Sequence, residues 1–160
     1  MGKQQILQQS SNDVVVCSAV RTPITRARKG ALSDTCIEDL LVAVFTGAVE
    51  RAAGPSSKQA LDKKLVQEIQ VGNVLARGGA ATVSRMAQLA AGFPSECTIA
   101  TTNRQCSSGL TAVNNIALQI AQGQIECGIG AGVESMSLDY GAGAMAEKVR
   151  RAISQRDVCG

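Results

Sequence analysis

The strongest constraint on this chain is its alternation of short apolar runs with stretches of helical period. Residues 13–19 (DVVVCSA), 68–75 (EIQVGNVL), 98–102 (TIATT) and 125–133 (IECGIGAGV) are each short and β-branched or Gly-rich. They read as four strands. Between the first two, Asp34 or Thr35 can cap a helix carrying Ile37, Leu40, Leu41, Val44 and Val49 at helical spacing, stopped by Gly54-Pro55. A short surface helix is expected over 59–64. After Gly78-Gly79 a helix over 82–91 is closed by Gly92 and Pro94, and another over 107–122 carries Leu110, Val113, Ala117 and Ile120 on one face before Gly123 ends it. The resulting β-α-β-α-β-α-β order predicts a parallel sheet with helices on both faces.

Composition fits close packing in such a fold. There are two Phe, one Tyr and no Trp, so Ala, Gly, Val, Ile and Leu must build the interior. Strands buried on both faces by helices suit this. The net charge of +3 is too mild to argue for nucleic acid, and no aromatics interleave with the basic residues for base stacking. Arg21, Arg26, Arg28 and Lys29 form the densest basic group and read as a solvated loop. No run of about 20 apolar residues predicts a membrane span.

Six cysteines stand at 17, 36, 97, 106, 127 and 159, with no CxxC pair and no histidine to complete a zinc site, so no metal is expected. All six read as reduced. The absence of histidine excludes any mechanism that takes an imidazole base from these 160 residues.

One segment carries chemistry. Asn103-Arg104-Gln105-Cys106-Ser107-Ser108-Gly109 lies between a predicted strand and a predicted helix. A tight turn there presents a side chain at a helix N-terminus, where backbone N–H groups and the helix dipole stabilise negative charge. Ser107, Ser108 and Gly109 leave little bulk around the sulfur, so a flat acyl group has access, and backbone N–H groups could serve as an oxyanion site. Local physics leaves two readings open for Cys106: an acyl-accepting nucleophile, or a buried structural cysteine at a helix start.

A family resemblance bears on that choice. Residues 103–114 (NRQCSSGLTAVN) resemble the nucleophile motif of degradative thiolases. Val20-Arg21-Thr22-Pro23 with Gly30, Val71-Gly72-Asn73-Val74-Leu75, and Gly132-Val133-Glu134-Ser135-Met136-Ser137 resemble that family's segments around its first, second and fourth strands. Tyr140-Gly141-Ala142-Gly143-Ala144-Met145 is most similar to fungal peroxisomal members. The resemblance runs from Asp13 to Met145 and implies the thiolase-like N-terminal half. That is a layered, parallel-rich sheet with helices on both faces, incomplete because the fifth strand, the loop domain and the C-terminal half are not in the sequence. The implied organisation is a disordered lead-in at 1–12, a partial N-terminal domain at 13–139, and the start of the loop region at 140–160.

The resemblance also implies a reaction. Cys106 would attack the ketone carbon of a 3-ketoacyl-CoA, carbon–carbon cleavage would release acetyl-CoA, and free coenzyme A would collect the shortened acyl group from sulfur. Coenzyme A is then a substrate, and no cofactor is called for. Ser107, Ser108, Gly109 and Met136 become candidate substrate-binding residues. Glu134 reads as a structural strand-exit residue rather than a base. The histidines and second cysteine of the family reaction lie in motifs that these residues do not contain, and neither Cys127 nor Cys159 replaces that cysteine. Turnover by this chain alone is therefore not expected. A non-catalytic assembly partner of a full-length thiolase, or an acyltransferase-related protein of a secondary-metabolite pathway, stands as the alternative. The resemblance further implies a homodimer or pairing with a full-length subunit, and a peroxisomal location. Residues 4–14 hold no intact peroxisomal signal and the last four residues are no peroxisomal address, so the cytoplasm is the alternative.

Overall fold

The computed structural model describes Ser10, residues 12–52 and residues 59–140. The expected stop at Gly54-Pro55, the loop over 141–145 and the basic helix over 146–153 lie outside the described residues, as does most of the lead-in.

Three parallel strands make the sheet: β1 (Glu68–Gly72), β2 (Thr98–Thr102) and β3 (Gly128–Gly132), in the order β2-β1-β3. Their register is flush, Glu68 pairing with Thr98 and Gly128, and Gly72 with Thr102 and Gly132. All three strands therefore end at one level. Helices α1 (Ile37–Ala52), α2 (Ala81–Ala90) and α3 (Ser108–Ala121) complete the architecture.

The alternation of β1 divides the molecule into two unlike faces. Ile69 and Val71 are fully buried in a cluster with Leu41, Phe45 and Val49 of α1, Ala87 of α2, and Phe93. Helix α1 buries Ile37, Leu41, Phe45 and Val49, a strict spacing of four; the last three enter that cluster, while Ile37 packs with Ala76 and Ala80. Phe45 meets Phe93 edge-on, with ring centroids 6.1 Å apart. Glu38 and Asp39 in the first turn of α1 and Arg51 in its last suit the helix dipole. The guanidinium of Arg85 on α2 donates to the carbonyls of Ser95 (2.9 Å) and Cys97 (2.7 Å), tying that helix to the approach to β2.

The opposite face is polar and glycine-lined. Asn115 of α3 donates to Gln70 (2.9 Å) and Gln119 to Glu68 (3.1 Å). Gly130 lies so close to α3 that an added Cβ would stand 2.5 Å from the Cα of Val113. This contact explains why α3 buries Ser108, Ala112 and Ile116 instead of the expected Leu110 and Val113, which are 73% and 44% exposed. A glycine-paved sheet lets the helix backbone approach at short range, with Ile116 seated over Gly128 and Leu110 turned outward. The expected helix over 59–64 reduces to a single 3-10 turn, Lys63–Leu65, capped by the Asp62 carboxylate on the Lys64 amide.

The predicted first strand does not form. Residues 13–19 pair with none of the three strands, and Val15 and Val16 are 72% and 78% exposed. A β-branched run becomes a strand only when a neighbour completes its ladder, and neither β2 nor β3 takes it as one.

Candidate functional site

Because the three strands are parallel and flush, the residues that follow them converge. In open α/β sheets that carboxyl-end edge is where ligands bind. Asn73 follows β1, Asn103 follows β2, and Glu134 lies two residues beyond β3. Asn73, 1% exposed, is fixed through its amide and both side-chain polar atoms: its amide N–H donates to Thr102 (3.0 Å), its Nδ2 to the Val133 carbonyl (2.8 Å) and to Glu134 (3.1 Å), and its Oδ1 accepts from Ala76 (3.0 Å). The Glu134 carboxylate also accepts from the amides of Val74 and Leu75, both at 3.0 Å.

The turn that carries Cys106 is built by its own side chains. The Oδ1 of Asn103 accepts from the Gln105 amide (3.0 Å), a local mimic of a backbone turn. Gln105 adopts a left-handed conformation, φ 52°, uncommon for a residue with a side chain. Ser108 Oγ donates to the Gln105 carbonyl (2.6 Å) and accepts from the Arg104 amide (2.8 Å), closing the turn from the far side. Cys106 projects from it, exposed. The amides of Ser107 and Ser108 donate to Arg104 and Gln105 within the turn. Those two N–H groups are thus already engaged within the turn.

What seats this turn against the sheet is Gly72. A Cβ there would fall 2.3 Å from the Ser108 carbonyl carbon and 2.4 Å from the Gly109 nitrogen, so only glycine lets the start of α3 rest on the end of β1. Beside this contact opens a shallow cleft of about 280 Å³, walled by Gly72, Val74, Gln105, Cys106, Gly109 and Glu134 among others.

Of the expected site residues, Cys106, Ser108 and Gly109 line the cleft. Ser108 is 3% exposed and its hydroxyl is committed to the turn, so it shapes the site rather than facing it. Ser107 and Met136 are exposed but do not line the cleft. The contributions of Asn73 and Asn103 were missed. The signal that could have found them is a polar side chain placed directly after consecutive parallel strands. The remaining described cysteines divide by environment. Burial pushes the thiols of Cys97 and Cys127 upward, with the neighbouring Cys17 adding to the effect at Cys127, whereas Cys17 and Cys36 are exposed.

The chain is similar to known proteins over most of its length. The family model described as the thiolase N-terminal domain matches residues 14–158. The chain is 44% identical over 140 residues to the peroxisomal 3-ketoacyl-CoA thiolase of Yarrowia lipolytica, covering 88% of this chain and 32% of that protein. It is 45% identical over 130 residues to the peroxisomal 3-ketoacyl-CoA thiolase 5 of Arabidopsis thaliana, covering 81% and 27% respectively. Among solved structures, the dimeric peroxisomal thiolase of Saccharomyces cerevisiae superimposes with a TM-score of 0.77 at 36% identity, over 93% of this chain and 38% of that one. The Acat5 thiolase from Ascaris suum in complex with coenzyme A gives 0.71 at 32% identity, over 80% and 31%. The chain spans about a third of the length of the curated relatives it matches.

Proposed function

Since this chain belongs to the thiolase family, its residues 14–158 matching the N-terminal domain of that family, we propose that it supplies the nucleophile side of a 3-ketoacyl-CoA thiolase site. Cys106 is the acyl acceptor. The observation that carries this reading is the placement of an exposed Cys106 on a strained turn, at the start of α3 and at the carboxyl edge of three flush parallel strands.

The chemistry follows from that placement. The Cys106 thiolate adds to the ketone carbon of a 3-ketoacyl-CoA, forming a sulfur–carbon bond. The bond between that carbon and the α-carbon then breaks, its electron pair goes to the α-carbon, and a proton delivered there completes acetyl-CoA. The thiolate of a second coenzyme A attacks the sulfur-bound acyl group and frees Cys106. Gly72 and Gly109 keep the approach to sulfur open. An imidazole base is not among these 160 residues, so the segment holds the acyl-accepting part of the reaction and not the proton-transfer part. The second reading is a non-catalytic assembly partner of a full-length thiolase, favoured by the exposed Leu110 and Leu118 on α3.

The relatives' names support fatty-acid β-oxidation, coenzyme A as substrate and a peroxisomal setting, and the dimeric yeast structure supports assembly as a homodimer or with a full-length subunit. The outward Leu110 and Leu118 of α3, 73% and 50% exposed, support a partner covering that helix. The division into a domain over 13–139 and the start of a loop region from 140 is part of the same proposal.

The test is intact mass after incubation with acetyl-CoA, whose thioester exchange with Cys106 needs no proton delivered to carbon. One acetyl adduct, lost in Cys106→Ser, is the expected result. A folded chain that acquires no adduct contradicts the acyl-acceptor reading and leaves the assembly-partner reading standing.

A further inference from the structure

Glu134 stands on the cleft wall with both of its carboxylate oxygens already engaged as acceptors. Oε1 receives Asn73 Nδ2 (3.1 Å) and the Leu75 amide (3.0 Å), and Oε2 receives the Val74 amide (3.0 Å). These three donors all belong to the loop after β1. That loop in turn reaches the loop after β2, where the Val74 carbonyl accepts from Asn103 Nδ2 (3.4 Å) and Asn103 Oδ1 accepts from the Gln105 amide (3.0 Å). Gln105 is the left-handed residue that directs Cys106. A single line of hydrogen bonds thus runs from Glu134 through Val74 and Asn103 to the residue before the nucleophile. It joins the exits of all three strands.

From this we infer that Glu134 is a positioning residue for Cys106, acting through Val74 and Asn103 and not by touching the substrate. A carboxylate suits the task. It is the side chain that accepts from two successive backbone amides and a carboxamide at once, with no donor of its own to misdirect. Glutamine at this position keeps one acceptor oxygen but brings an NH2 group toward amides that need acceptors. Alanine leaves the Val74 and Leu75 amides without their acceptor and Asn73 Nδ2 with the Val133 carbonyl alone. In either case Val74 gains freedom, Asn103 loses a fixed acceptor, and the Gln105 turn has less to hold it in its left-handed state. The inference rests on Cys106 being the acyl acceptor.

The experiment compares wild type, Glu134→Gln, Glu134→Asp and Glu134→Ala with four readouts, the unfolding temperature among them. Acyl transfer from acetyl-CoA to Cys106 depends on the sulfur's placement, and a misplacement on the ångström scale lowers it by about 10²-fold. Alkylation of Cys106 by iodoacetamide needs only an exposed sulfur. Amide hydrogen exchange at Gln105 reports the turn itself. The expected result for Glu134→Ala is a fall in acyl transfer of about 10–100-fold, faster Gln105 exchange, and alkylation within about threefold of wild type, with Glu134→Asp restoring part of the acyl transfer. A general loss of structure would instead change alkylation and the unfolding temperature as well, and that pattern overturns the inference. Acyl transfer and Gln105 exchange both at wild-type values in Glu134→Ala overturn it too. If wild type accepts no acetyl group, the acyl-acceptor reading fails. The exchange arm then decides the coupling alone, unchanged Gln105 exchange in Glu134→Ala and Glu134→Gln refuting it.

Discussion

Replacing Gly72 with alanine tests how the site is assembled. The new Cβ would stand 2.3 Å from the Ser108 carbonyl carbon, 2.4 Å from the Gly109 nitrogen and 2.5 Å from the Ser108 oxygen. All three are backbone atoms, so no side chain can swing aside. Ordinary carbon contacts lie near 3.5 Å, and the start of α3 must therefore retreat by about 1 Å. Overpacking of this kind costs about 1–3 kcal/mol, which for a chain of this size lowers the melting temperature by about 2–12 °C. The same retreat carries Cys106 with it, and a shift of that size costs about 10²-fold in a reaction that depends on placement. Gly47→Ala is the control. It sits within α1 with nothing inside 4 Å of its Cβ, and alanine there should stabilise by about 0.5–1 kcal/mol. Thermal unfolding and acetyl transfer to Cys106 are measured side by side. A Gly72→Ala variant with wild-type melting and wild-type transfer would refute the claim that contact between Gly72 and α3 sets the position of the nucleophile.

Two further outcomes follow from the core. Phe45→Ala removes a fully buried ring and its contact with Phe93, and denaturant unfolding should show a loss of about 3–5 kcal/mol. The pH dependence comes from Cys97 and Cys127. Burial raises both thiols above the ordinary value of 9.0, so the folded chain holds these protons more tightly than the unfolded one. Their contribution is fully present below about pH 9 and is lost as the pH rises through the folded values. Unfolding free energy should therefore decline above about pH 9, and replacing both with alanine should flatten that decline.

The legible parts of this fold are those governed by local rules. The strand Thr98–Thr102 was readable to the residue because it is short, β-branched and bounded by a proline on one side and the nucleophile turn on the other. Gly92 and Gly123 were readable as helix ends because φ values of 79° and 69° favour glycine. What failed depends on neighbours. Residues 13–19 have the composition of a strand, but a strand also needs an adjacent ladder. The buried face of α3 was misjudged because apolar periodicity points to the leucine side, whereas this helix turns Ala112 with the polar Asn115 and Gln119 toward the sheet. The deciding fact, the glycine pavement of β1 and β3, lies in other segments. Phe45 was passed over although it completes the four-residue spacing of α1. At the site, Cys106 was legible from its motif, whereas the relay from Glu134 through Val74 and Asn103 to Gln105 is a product of strand register and is invisible in linear order.

The central claim is that the fold singles out Cys106 among several accessible thiols. The most direct measurement is peptide-resolved mass spectrometry after exposure to acetyl-CoA, with the chain folded and then unfolded in urea. Cys17 and Cys36, both exposed, serve as internal references. The account predicts acetyl on Cys106 alone in the folded chain, and loss of that selectivity in urea. Acetyl spread evenly over Cys17, Cys36 and Cys106 in the folded chain, or absent from Cys106, would contradict it.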